Sequence, residues 1–402
     1  MSVNAILISK RYLWFPNKYI GTKNNIFRVY FFITKRSTDS CRLDLAIRNR
    51  VFIFYQNLGD IVRILNLDGL YFTETFRKLG HEVLALGPFA ACDVQLKKTL
   101  PLSGLITLLQ SRNFNPDLVV WADICKPPSV LGIESLPAVT IGYSIDQYCN
   151  PWHTPYAAAF DLMLVAQKDY LPGFIEANPG YELEWQPLFC HSHKDKDFKQ
   201  KRDIPVSFVG TVTGSINKNR KQFLDEFKRT QPVFVTQGDY VPIYNRSQIV
   251  VNQSAVGELN FRIFEAMACG AAVVTEDTTN GMHDLFTDGR DILLYPRGNP
   301  DAAAEVTRKA LAEPEKLMEL AARGRRKVVN NHSSLIRSKY ILKRTTDIMA
   351  SGLTWRKRNP KTARRILGYT YTMLAVDEEN NIPIDMRNYY AAVGQKMISE
   401  AT

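Results

Sequence analysis

The chain has 402 residues, 45% hydrophobic and 23% charged, which fits an ordinary globular protein of two or three domains. Its net charge is +11, but the first fifty residues alone hold ten Lys or Arg against Asp39 and Asp44; a nucleic-acid binder carries its basic stripe on the folded body, so that class is set aside. No apolar run reaches the ~18 residues of a membrane span, and six scattered cysteines (Cys41, Cys92, Cys125, Cys149, Cys190, Cys269) without a CxxC pair argue against a disulfide framework and for a reducing, cytoplasmic setting.

Residues 1–49 mix Lys, Arg, Asn and aromatics with no sustained period. They read as a poorly ordered basic extension, or as an arm that touches an anionic membrane surface. Val51 to Tyr55 is an apolar run that ends in the loop Gln56 to Asp60, the pattern of a buried parallel strand. Leu70 to Leu79 reads as a helix closed by Gly80,. Strands follow at Glu82 to Leu86, Leu118 to Trp121, Ala138 to Ile141 and Leu162 to Ala166. Alternation of strands and helices implies a Rossmann-type sheet, here over residues 50–190.

Pro187 to Asp203 reads as a linker, its polar part at 191–203. The run Cys190 to His193 (CHSH) lacks further metal ligands nearby and reads as solvated,. Alternation then resumes over 204–345, with strands at Val206 to Val209, Val233 to Thr236, Ile249 to Val251, Ala272 to Thr275 and Ile292 to Tyr295. Arg220 to Lys228 is a helix, and Ala302 to Asn330 is strongly helical in composition. The tail, 346–402, begins with the basic stretch Arg356 to Arg365, continues in helix, and is placed to cross back to the first domain. Two such domains leave a cleft, and ligands of these sheets bind beyond the carboxyl ends of the strands.

Two segments carry candidate chemistry. In ELNFRIFEAMACGAAVVTE (Glu258 to Glu276), a helix over Glu258 to Ala268 would bury Leu259, Ile263, Ala266 and Met267,. It would line up Glu258, Arg262 and Glu265 along one stripe. A carboxylate there can accept two hydrogen bonds from a ribose diol; the plainer alternative is a surface Glu258–Arg262 salt bridge. In SFVGTVTGSINKNR (Ser207 to Arg220), Gly210 and Gly214 would let backbone amides approach a phosphate,. Lys218 and Arg220 would neutralise a diphosphate; the alternative is an ordinary strand-to-helix turn.

These segments, with IYNRSQIVVNQS (Ile243 to Ser254), DLFTDG (Asp284 to Gly289) and HSSLIR (His332 to Arg337), resemble the CgeB-like glycosyltransferases. These are relatives of the large retaining GT-B family. The resemblance is good over about 204–340 and loose over 50–200. It implies an α/β GT-B fold, two Rossmann-like domains facing across a cleft, and transfer of a sugar from a nucleotide-diphosphate donor to an unidentified acceptor. It also implies that Glu265 holds the donor ribose, Arg262 belongs to the RxFE element, and Gly210 and Thr211 face the diphosphate, with Lys218 and Arg220 as phosphate contacts. The nucleotide sugar is then a substrate, with no cofactor and no metal. No Asp-x-Asp pair occurs in a metal-like loop position; Asp195 and Asp197 lie in the Lys-rich linker. The wider family spaces its two glutamates eight apart; here Glu258 and Glu265 are seven apart and Gly257 holds the matching position. Position 211, often arginine there, is threonine.

Acceptor contacts and any base would come from the first domain. Asn57, Gly59 and Asp60 follow its first strand, and Ser144, Asp146 and His153 lie in GYSIDQYCNPWHTPY. His153 and Asp146 are the candidates for proton transfer, although a loop histidine more often satisfies a local hydrogen bond. His283 and the Asn280-Gly281 turn adjoin the donor side. An epimerase on the same fold and a non-catalytic sugar-binding or coat protein are the rival functions.

Overall fold

The structure, a computed structural model, describes residues 19–22, 25–28, 61–214, 217–378 and 382–401. Residues 1–61 and 62–402 are two separate compact units. In the first, β1 (Tyr19–Thr22) and β2 (Asn25–Arg28) pair antiparallel. The strand expected at Val51 to Tyr55 and the loop residues Asn57, Gly59 and Asp60 lie outside the described residues.

The second unit begins with β3 (Arg63–Asp68), α1 (Thr73–Lys78), β4 (Glu82–Gly87), β5 (Val94–Gln95), α2 (Leu102–Ser111), β6 (Leu118–Ala122), β7 (Val139–Ser144), α3 (His153–Tyr156), β8 (Leu162–Val165), α4 (Leu171–Ala177) and β9 (Leu183–Trp185). All seven strands are parallel, in the order β5-β4-β3-β6-β7-β8-β9. Helices cover both faces of such a sheet, so its strands are nearly all apolar, as LVVWA in β6 and LMLV in β8 show,. Sequence reading missed the short edge strands β5 and β9 and, inside the sheet, β3. Its apolar run is broken by Asn66 and Asp68, both buried. They survive inside because they are bonded: Asn66 Nδ2 donates to the Gly69 carbonyl at 2.9 Å, and Asp68 Oδ2 accepts from Trp121 Nε1 at 2.9 Å,.

A second sheet is built from β10 (Ile204–Val209), α5 (Arg220–Thr230), β11 (Phe234–Thr236), α6 (Val241–Arg246), β12 (Ser247–Val251), α7 (Phe261–Ala268), β13 (Ala272–Asp277), α8 (Met282–Leu285), β14 (Leu293–Pro296), α9 (Pro300–Leu311) and α10 (Pro314–Asn331). Its five strands are also parallel, ordered β11-β10-β12-β13-β14. The helical stretch expected over 302–330 is two helices. Pro314 starts the second, where its missing N–H costs nothing,.

Four helices close the chain: α11 (Ser334–Ser351), α12 (Trp355–Arg358), α13 (Pro360–Val376) and α14 (Ile384–Ala401). α13 and α14 cross at Gly368 and Gly394, where a Cβ on either would lie within 3 Å of the other's carbonyl oxygen. Leu367, Tyr371, Tyr390 and Met397 pack into the core of the first sheet with Trp121 and Tyr156. Arg356 is buried and bonds both oxygens of Asp161, at 3.2 and 2.7 Å.

The CHSH run is only partly solvated: Cys190 is buried and His191 half-buried, while His193 and Lys194 are exposed as expected. His191 stacks with Tyr71 of the first half (6.2 Å between centroids) and Phe261 of the second (5.7 Å), and burial lowers its pKa to about 4. Further clamps join the halves. Gln167 bonds the backbone of Leu259 through both amide atoms, each at 3.0 Å, and Asp169 and Asn280 exchange hydrogen bonds.

Candidate active site

The site lies at the carboxyl ends of β10, β12 and β6–β7, where the two sheets face each other. On the second sheet its centre is a pair of arginines. Arg262, in the first turn of α7, donates through Nε to the Val209 carbonyl (3.1 Å) and through Nη1 to Asn252 Oδ1 (2.6 Å). Arg220, at the start of α5, donates to Gln253 Oε1 (2.9 Å), the Gln253 carbonyl (3.0 Å) and the Thr211 carbonyl (2.9 Å). Both guanidinium groups lie over Phe208, at 4.3 Å for Arg262 and 5.7 Å for Arg220. Every oxygen that they bond is neutral, and among the described residues neither has a carboxylate at ion-pair distance. Burial, then the charge of Arg262, lowers the Arg220 pKa to about 10. Two like charges, one buried and one half-buried, favour an anion between or above them,.

Thr211 is exposed; its hydroxyl accepts from Gln237 Nε2 at 3.3 Å, and its carbonyl is held by Arg220. Lys218 is exposed on the loop before α5. Gly210 leaves room for the Arg262 guanidinium.

The expected stripe of Glu258, Arg262 and Glu265 is not formed. Helix α7 begins only at Phe261, because Gly257 takes φ +93° and the capping residue Asn260 is extended,. Glu258 therefore sits in the preceding loop. Its carboxylate folds back onto the amides of Ala255 (3.0 Å) and Val256 (2.8 Å). The alternative Glu258–Arg262 salt bridge is absent for the same reason, since Arg262 points toward Val209 and Asn252. The four core positions expected on this segment, Leu259, Ile263, Ala266 and Met267, are all buried.

Glu265 is half-buried beside two residues that sequence reading did not bring to it. Tyr240 donates to Asp195 Oδ1 at 2.9 Å and lies within hydrogen-bonding reach of Glu265. Burial, then the Asp195 carboxylate, raises the Glu265 pKa to about 7, and burial raises Asp195 to about 6. Asp195 lies in the Lys-rich linker, and no periodic signal ties it to α7.

On the first sheet, His153 is fully buried and so does not reach the cleft. Its Nδ1 shares a 2.9 Å hydrogen bond with Ser144 Oγ, and its Nε2 stands 3.5 Å from Asp123 Oδ1. Asp123, which sequence reading missed, accepts from the amides of Cys125 (2.7 Å) and Asp146 (2.7 Å). Burial works against its charge, but His153 and these amides hold its pKa below the usual value. Its signal was position, directly after β6. Asp146 remains partly open, and its Oδ1 accepts from Tyr148 at 2.9 Å. Burial, then the Asp123 charge, raises the Asp146 pKa to about 6, with a further push from Glu258 across the cleft. Near the junction, Asn280 and Gly281 form the expected turn, and His283 pairs with Asp277 at 2.8 Å.

Residues 196–343 match a protein-family model described as glycosyl transferase-like. No curated protein matches the chain by sequence. Among solved structures, a glycosyltransferase from Rickettsia africae is similar at TM-score 0.54 and 10% identity, covering 72% of this chain and 99% of that one. HepE of Anabaena, solved with UDP-glucose, is similar at 0.54 and 13%, covering 71% and 100%. Sucrose-phosphate synthase of Thermosynechococcus elongatus is similar at 0.52 and 11%, covering 72% and 100%. These are GT-B structures, and the chain has the GT-B fold: two Rossmann-like domains that face across a cleft.

Proposed function

We propose that this chain is a glycosyltransferase that binds a nucleoside-diphosphate sugar in the cleft and passes the sugar to an acceptor hydroxyl. The observation that carries this reading is the Arg220–Arg262 pair, two guanidiniums held only by neutral oxygens at the carboxyl end of β10. A diphosphate supplies the missing negative charge, and its oxygens suit planar guanidinium donors. The glycosyl transferase-like family match covers this half of the chain, and HepE has been solved with UDP and with UDP-glucose.

In this reading Glu265 accepts hydrogen bonds from the donor ribose, with Tyr240 and Asp195 fixing its position. Gly210 and Thr211 line the diphosphate, with Lys218 at the mouth. Asp146 faces the donor from the first sheet and takes the proton of the acceptor hydroxyl. The hydroxyl oxygen bonds to the anomeric carbon, while the diphosphate leaves with the electron pair of the broken bond and is stabilised by the two arginines. His153 and Ser144 do not touch substrate; with Asp123 they hold the loop that presents Asp146. A turnover screen tests the reading: full-length protein, UDP-sugars and cell extract as acceptor source, with free UDP as the readout. Release above the no-extract background supports transfer; no release with any nucleotide sugar from a folded protein contradicts it.

A further inference from the structure

A second cavity, of about 330 Å³, opens beside the cleft where the two halves meet. Tyr170 and Asp169 line it from the first half, and Gly257, Asp277, Thr278 and Arg297 from the second. Three features set its chemistry. The Arg297 guanidinium lies on the backbone of Gly257: a Cβ there would stand 2.8 Å from Nη1 and 3.0 Å from Cζ, and the glycine also holds φ +93°. Arg297 has no carboxylate at ion-pair distance among the described residues. The hydroxyl of Thr278 is buried without a hydrogen-bond partner. The ring of Tyr170 lies 6.5 Å from that of Tyr148, whose hydroxyl bonds Asp146. Tyr170 thus connects the cavity, through its contact with Tyr148, to Asp146.

We infer that this cavity is an acceptor subsite that holds a neutral sugar ring. The inference rests on the transferase reading above. Sugar hydroxyls donate and accept alike, and the lining offers both partners: Arg297 and Thr278 as donors, Asp169 and Asp277 as acceptors, with the Tyr170 ring as a platform. An anionic ring would meet two carboxylates here, so the mixed lining selects a neutral one. The subsite lies on both domains, so an occupied acceptor would also tie them together.

The test uses the full chain and methyl glycosides of glucose, galactose and mannose, followed by saturation-transfer NMR with and without UDP. Calorimetry with UDP runs in parallel. Arg297→Gln and Thr278→Val are the variants; the unpartnered Thr278 hydroxyl makes the second a mild change to the fold. The expected result is that at least one methyl hexoside binds the native protein and loses about tenfold in affinity in each variant, with UDP affinity kept. No hexoside binding, equal binding by native and variant proteins, or binding of methyl glucuronide in preference to the neutral sugars overturns the subsite. Hexoside binding without any UDP binding keeps the subsite and sinks the donor reading instead.

Discussion

A Cβ on Gly210 would stand 2.4 Å from Nη2 of Arg262, so the glycine is what allows that guanidinium to lie against the end of β10. The clash is with the far end of a flexible side chain, not with backbone. Gly210 also holds φ +154°, a backbone conformation strained for alanine, so Gly210→Ala should displace Arg262 from Val209 and Asn252 and also cost about 1–3 kcal/mol of stability. We expect UDP affinity to fall about tenfold or more, the scale of one charge-assisted hydrogen bond, in a protein that is still folded at the assay temperature but melts lower than the native chain. Unchanged affinity would separate Arg262 from the diphosphate site.

Glu265 should make donor binding pH-dependent. Burial and Asp195 raise its pKa to about 7, and only the ionised form accepts two hydrogen bonds from a ribose diol. Affinity for UDP should thus weaken as pH falls from 8 to 6. Glu265→Gln should bind weakly and without this slope. The same titration followed with inorganic diphosphate, which has no ribose, should lack the Glu265 component.

Asp146 should set the acid limb of turnover. Its pKa is raised to about 6, by burial first and then by Asp123, so a base at this position loses function as pH falls through about 6. Asp146→Asn should cut kcat by roughly 10²–10⁴-fold while UDP still binds. Asp123→Asn removes the neighbouring charge and should move the limb to lower pH.

The buried Arg356–Asp161 pair should be a stability element with no part in catalysis. Arg356→Ala leaves the Asp161 carboxylate unpaired in the core and should cost about 3–5 kcal/mol by denaturant unfolding. Replacing both residues with apolar ones should recover most of this loss. Burial opposes the charge of Asp161, but Arg356 outweighs it and the pKa is lowered. The pair's contribution is therefore present above the unfolded-chain value near ~3.9 and is lost as pH falls through the lower folded value.

The sheets were legible because buried parallel strands leave long apolar runs: LVVWA and LMLV announce themselves. β3 did not, because its buried Asn66 and Asp68 look like loop residues until Gly69 and Trp121 are seen to bond them. Helical spacing puts Arg262 and Glu265 on α7, where the structure has them, and wrongly extends the helix to Glu258 because it ignores Gly257 and Asn260 as helix-start signals. Asp195 and Tyr240 reach Glu265, and Asp123 reaches His153 and the Asp146 loop, from segments distant in sequence that only the fold brings together. His153 looked like a proton donor by type; its complete burial, which no local pattern reveals, makes it a support.

The most direct test of the diphosphate site is calorimetric titration of UDP into the native protein and into Arg262→Ala, with Arg220→Ala and melting temperatures as companions. The account predicts binding to native protein, at least about tenfold weaker binding to folded Arg262→Ala, and a further loss when Arg220 is also replaced. Equal UDP affinity in native protein and Arg262→Ala, or no affinity of the folded native chain for UDP or any other nucleoside diphosphate, would contradict it.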